Sequence, residues 1–203
     1  MFPVSSQSEK SSLHARVCPL NVRMASVAVA LSIVLTGCLP SASLQPPTTD
    51  LPAMRPEVFF AGRTEGRGEL TLRGGSPRSL QVASEGRQDP DGTFRLDQTI
   101  TFDDGAIERR TWHLRAIDSR TYSGTLSDAA GDMTGEVEGN VFHLRYLLRQ
   151  PAVYMQQRLY LQSDERTVIN LGEVTVLGLP WARLEERIVR SEAEIIPRAR
   201  RIP

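Results

Sequence analysis

The chain has 203 residues, 40% of them hydrophobic and 24% charged, with a formal net charge of zero. That length fits one globular domain with extensions and excludes a large multidomain enzyme. A balanced charge gives no electrostatic case for nucleic acid, which needs a clustered positive surface, and two cysteines, Cys18 and Cys38, build neither a disulfide framework nor a cysteine-rich zinc site.

The N-terminus reads as an address. Met24 to Thr36 carries no charge, follows Arg16 and Arg23, and runs into the small residue Gly37 and then Cys38. A basic start, an apolar stretch and a small-residue cleavage site make a signal peptide over residues 1–37. A spanning helix needs about 20 apolar residues, so this stretch is too short to be one. Leu35-Thr36-Gly37-Cys38 resembles a bacterial lipobox, which implies that Cys38 becomes the first mature residue and carries acyl chains such as palmitate. Stable anchoring takes more than one chain, and a multiply acylated Cys38 would meet that requirement. Leu39, a non-acidic residue after the Cys, is compatible with an outer-membrane site facing the periplasm. The residues before Met24 are polar, patternless and long for a basic start, which points to initiation nearer Val22. Lys10 is the single lysine, so the mature chain's strong cations are all arginines; codon bias is the simplest cause.

Residues 38–56 are rich in Pro, Ser and Thr and read as a disordered tether, because such a segment buries too little apolar surface to offset its ordering entropy. Residues 57–190 change character to short segments separated by turn signals every eight to twelve residues, such as Asp89-Pro-Asp-Gly92 and Asp103-Asp-Gly105. Phe94, Leu96, Ile100 and Phe102 alternate with polar neighbours, as do Phe142, Leu144, Tyr146 and Leu148. The pattern predicts roughly ten strands near 65–72, 79–87, 93–102, 107–117, 121–127, 132–138, 142–149, 153–162, 167–177 and 181–190. An all-β, antiparallel up-and-down meander of eight to ten strands closes most economically into a lipocalin-like barrel, since closure removes the unpaired edges. A β-sandwich is the alternative. The segment from Trp181 fits either a helix or a strand, and residues 191–203 read as a C-terminal tail.

Phe60-Ala-Gly62, Gly66-Arg-Gly68, Phe102-Asp-Asp-Gly105, Arg110-Thr-Trp112, Tyr122-Ser-Gly124, Asp128-Ala-Ala-Gly131, Gly139-Asn140, Arg145-Tyr146 and Ile169-Asn170 occur in an order that resembles the bacterial family called domain of unknown function 3833. The resemblance implies a small envelope lipoprotein with a lipocalin-like barrel and no established activity. This chain departs from the family pattern at Gln156-Gln157-Arg158-Leu159, where the resemblance implies an acidic-aromatic pair, and at Leu171, where it implies Arg.

Four residues are candidates for lining a ligand site. Extending the phase of Trp112 and Leu114 backwards puts Arg110 on the inward face. There it needs a carboxylate, a stacking aromatic, an anionic headgroup or water at the barrel mouth. Trp112 and Tyr146 offer apolar bodies with a polar handle, and also suit ordinary core packing. Asn170 suits either a ligand or turn backbone. Asp89, Asp91 and Asp97 lack the spacing and terminal Glu of a calcium loop. Glu136 and Glu138 flank an inward Val137, and His113 and His143 fall on the outer face. Gly66-Arg-Gly68 has Thr71 where a dinucleotide motif needs its third Gly.

No nucleophile elbow, metalloprotease motif or phosphate loop occurs in the sequence, so neither enzymatic activity nor a cofactor or metal is expected. The reading is a lipid-anchored barrel that binds a hydrophobic or amphipathic small molecule. The alternative is an assembly lipoprotein working through an envelope protein partner. An enzyme would need a buried acid or base near Arg110, and the sequence alone singles out none.

Overall fold

The computed structural model describes residues 46–191; the expected signal peptide (1–37), Cys38, the first part of the expected tether and the expected tail beyond Ser191 lie outside the described residues. A short helix α1 (Pro56–Phe59) precedes ten strands: β1 (Gly62–Leu72), β2 (Arg78–Gln88), β3 (Phe94–Phe102), β4 (Ile107–Ala116), β5 (Thr121–Leu126), β6 (Met133–Glu138), β7 (Val141–Arg149), β8 (Val153–Leu161), β9 (Thr167–Val176) and β10 (Leu179–Arg190). Each strand pairs antiparallel with the next in sequence, and β1 pairs with β10 to close the barrel. The ladder from Thr64 opposite Arg190 to Leu72 opposite Ala182 leaves no edge, so the sandwich alternative is excluded.

The segment from Trp181 forms β10, against its local helix propensity. Pairing on both sides decides it. A helix there would strip the ladder partners from both β1 and β9, whereas the strand satisfies both and turns Ala182, Leu184, Glu186 and Ile188 inward.

The two ends of the barrel differ. At one end α1 lies across the opening and buries Pro56, Phe59 and Phe60, with the two phenyl rings edge to face. The preceding chain is strapped to the same end. Thr48 N–H donates to Asn140 Oδ1 (3.0 Å), Asn140 N–H donates to the Thr48 carbonyl (3.2 Å), and Met54 N–H donates to the Gly139 carbonyl (2.9 Å). Met54 is fully buried. The expectation of a free tether up to Pro56 is therefore corrected for residues 48–56. An apolar anchor and a complementary Asn side chain hold them, and their prolines, with φ already fixed, lose less entropy on ordering. At the opposite end, Leu70, Leu148, Val174 and Leu184 are only partly buried, and among the described residues no helix crosses the opening.

The main core fills the capped half. Phe94, Leu114, Tyr122, Val137, Phe142, Leu161, Val168 and Ile188 pack there with the α1 aromatics, and the Tyr122 and Phe142 rings meet edge to face at 5.2 Å. A smaller cluster of Leu80, Val82, Ile100 and Phe102 lines one wall towards the open end. The interior positions Phe94, Leu96, Ile100 and Phe102 of β3 and Phe142, Leu144 and Tyr146 of β7 are thus the ones that their period-two alternation predicts.

Candidate functional site

Between the cap and the open end lies a cavity of about 340 Å³, towards the small end of the roughly 300–1,000 Å³ that ligand pockets span. Most of its wall is Leu, Ile, Val, Phe and Met. The polar side chains that reach it are Arg78, Gln98, Glu108, Arg110, Asp128, Gln157, Asn170 and Glu186. The four candidates read from the sequence, Arg110, Trp112, Tyr146 and Asn170, all line this one cavity.

Arg110 on β4 turns inward and is 18% exposed, near the mouth. Its guanidinium faces Asp128 (Nε to Oδ2, 3.5 Å) and Glu108 (Nη2 to Oε2, 3.4 Å), so its carboxylate partners come from the rim. The Nε atom is buried and makes no hydrogen bond. Next inward, Trp112 donates its indole N–H to Gln98 Oε1, and Gln98 Nε2 donates to Ser84 Oγ (3.1 Å). That chain satisfies three polar groups on one wall. The Trp112 ring meets Tyr146 edge to face at 5.3 Å. Burial pushes the Tyr146 phenol far up, against the favourable field of Arg110, so it stays a neutral donor.

Asn170 on β9 does not serve turn backbone. Its Nδ2 donates to Glu186 Oε2 on β10 (3.0 Å), while its Oδ1 is buried without a partner. Glu186 is 8% exposed. Burial raises its pKa, and the hydrogen bond from Asn170 and the charge of Arg110 offset this only in part. Glu186 is the interior acid that sequence reasoning missed. The signal was present, because Glu186 shares the phase of Leu184 and Ile188 once the segment is a strand. A helix reading hides that phase.

The same acid explains Gly66-Arg-Gly68. A Cβ on Gly66 would overlap Glu186 Oε1, and one on Gly68 would overlap the Glu185 carbonyl and the Glu186 backbone. Glycine at both positions clears the wall opposite β10 for the Glu186 side chain. Gln157, one of the departures from the family pattern, is buried and faces the cavity, whereas Leu171 lies between Arg158 and Glu185 on the neighbouring strands.

Other sequence candidates sit elsewhere. Asp91 closes the β2–β3 turn by accepting from the Thr93 N–H and hydroxyl, and Asp97 joins Arg87, Arg95 and Thr111 on the outer face. Glu136 and Glu138 point outward around the buried Val137. His143 stands on the outer wall, where burial and the nearby Arg158 lower its pKa. Among the described residues no group of His, Cys, Asp and Glu has the arrangement of a metal site.

Solved structures share the barrel. The S-type phycobiliprotein lyase CPES from Guillardia theta superposes with a TM-score of 0.55 at 9% identity, over 68% of this chain and 92% of that one. Rv2717c from M. tuberculosis gives 0.53 at 17% identity, over 68% and 99%. A protein of unknown function from the DUF3598 family of Nostoc punctiforme gives 0.53 at 14% identity, over 69% of this chain and 50% of that one. At these identities the likeness is one of fold, a lipocalin-like barrel. No curated protein matches the sequence. The sequence itself matches the family described as "Protein of unknown function (DUF3833)" over residues 32–189, and the chain belongs to that family.

Proposed function

We propose that this barrel binds one small apolar or amphipathic molecule in its interior, on a chain held at the cell envelope by acyl groups on Cys38. The observation that carries the reading is the cavity of about 340 Å³, capped by α1 at one end and lined by apolar side chains with a few converging polar groups. A barrel that served only as a scaffold would have its interior filled, as small barrels do. The lipobox-like Leu35-Thr36-Gly37-Cys38 supports the anchor, and the non-acidic Leu39 supports the outer membrane facing the periplasm. The described chain enters the barrel at its capped end, opposite the mouth.

The test is to purify the full chain from its native envelope, extract it with solvent, and identify what comes away by mass spectrometry. A stoichiometric lipophilic molecule that is lost on Trp112→Ala supports the reading; a stable, empty barrel overturns it. Labelled palmitate entering the wild-type chain and not Cys38→Ala checks the anchor separately.

A second reading, docking to an envelope protein, is favoured by one observation. Leu72, Leu177, Leu179 and Trp181 are exposed together on the β9–β10 hairpin and the neighbouring end of β1. Photo-crosslinking from position 179 to a single protein would support it.

A further inference from the structure

Within the apolar wall formed by β8, β9, β10 and β1, Asn170 and Glu186 form a joined polar pair, and Gln157 on β8 is the third buried polar side chain that faces the cavity. Asn170 is 3% exposed and Glu186 8% exposed, and both line the cavity beside Leu159, Leu184 and Ile188. One hydrogen bond joins them, from Asn170 Nδ2 to Glu186 Oε2. It leaves the amide oxygen of Asn170 unused. Asn170 Oδ1 is an acceptor with no donor. Glu186 Oε1 occupies the space left open by Gly66. Buried amide oxygens in folded proteins are nearly always satisfied, so a bare one in a cavity wall marks the place of a missing donor.

We propose that the Glu186–Asn170 pair recognises an uncharged hydroxyl group on an otherwise apolar ligand, that is, an alcohol-headed amphiphile. The inference rests on the binding reading above. It stands on complementarity. A hydroxyl donates one hydrogen and accepts another. Its O–H reaches Asn170 Oδ1, and its lone pair accepts from the Glu186 carboxyl in the protonated form, which burial favours. A carboxylate head brings acceptors only and meets the lone pairs of Oδ1. An ammonium head brings donors only, faces a carboxyl whose ionised form burial disfavours, and lies in the repulsive field of Arg110. The apolar side chains around the pair then take up the ligand's tail.

The experiment uses the full purified chain and the uncharged dye N-phenylnaphthylamine, displaced in turn by decanol, decanoate and decylammonium. Decanol is expected to displace the dye most strongly from the wild type. Asn170→Leu is expected to weaken decanol by about tenfold, the worth of one hydrogen bond, with dye affinity kept within about twofold. Asn170→Ser serves the same purpose should the leucine variant fold poorly by circular dichroism. Glu186→Gln keeps a donor in place and is expected to retain decanol within about threefold. The proposal is overturned if decanoate or decylammonium competes best, or if well-folded Asn170 variants bind decanol as the wild type does. A dye that fails to enter the wild-type barrel at all overturns the underlying binding reading instead, so the two failures are distinct.

Discussion

The capped end and the open end of this barrel use opposite chemistry. At the capped end Met54, Phe59, Phe60, Phe142 and Val168 are almost wholly excluded from solvent, and Asn140 ties the incoming chain to β7 and to the Leu161 carbonyl. The Tyr122 hydroxyl donates to Glu57 Oε2 (3.0 Å) across the same end, and burial with the Glu57 charge pushes its pKa up to about 12. At the open end, by contrast, partly exposed Arg78, Glu108, Arg110 and Asp128 reach the cavity, and Leu177, Leu179 and Trp181 stand in water. Buried packing is concentrated at the capped end; the groups exposed at the other end contribute little to the fold.

The strongest way to break this contrast is at the cap. Phe142 is 1% exposed and packs on Tyr122, and truncating a buried Phe costs about 3–5 kcal/mol. Phe142→Ala is expected to lower the urea midpoint accordingly, and a loss under about 1 kcal/mol would mean that the capped half is not the stabilising core. A smaller effect is expected from starting the chain at Arg55, which keeps α1 and its hydrogen bonds to the Arg55 and Pro56 carbonyls. That removes Met54 from its fully buried site together with the Thr48 and Met54 hydrogen bonds. Burial of one Met and the loss of these bonds amount to about 3 kcal/mol. A chain starting at Pro46 keeps them and is expected to melt like the full chain. Equal melting of the two truncations would show the strap to be energetically idle.

The difference between the ends also explains what the sequence made legible. Ten strands and their order followed from period-two alternation and turn residues, because one buried face and short hairpins leave few other ways to pair Phe94–Phe102 or Val141–Arg149. The strap was illegible. A Pro-rich segment satisfies the composition of a tether, and only the complementary Asn140, about ninety residues away, shows that residues 48–56 are held. Arg110, Trp112 and Tyr146 could be placed on the inner face from their strands' phase, and they line one cavity. Glu186 could not, because Trp181, Leu184 and Ile188 also fit a helical period and the deciding term, ladder pairing with β1 and β9, is nonlocal. The two glycines of Gly66-Arg-Gly68 look like a loop motif until the carboxyl they accommodate is in place.

The cavity wall between the ends gives the next prediction. Glu186 has its pKa raised in the folded state, chiefly by burial. The folded protein therefore holds this proton more tightly than the unfolded chain. The resulting stability is present below the ordinary carboxylate range and is lost as pH rises through the raised value. Glu186→Gln cannot ionise. It is expected to match the wild type in acid and to exceed it in denaturant resistance as pH rises past the folded pKa. A wild type that gains on the variant with rising pH would mean that the carboxylate is stabilised in the barrel, and would point to a cationic partner for it.

The smallest effect is expected at the mouth, and with opposite sign to the cap. Leu177 holds φ at +51° in the two-residue turn before Gly178, whose φ is +80°, and its side chain is 72% exposed. A left-handed conformation costs a residue with Cβ about 1 kcal/mol, a cost that Asn relieves through local hydrogen bonding. Leu177→Asn is expected to raise stability by about 0.5–1 kcal/mol, read as a higher melting temperature. If it does, the leucine works against the fold where it stands, beside the exposed Leu179 and Trp181 at the open end. If the variant is destabilised instead, the hairpin tip packs as part of the barrel, and the division between a stable cap and a spare mouth fails at this point.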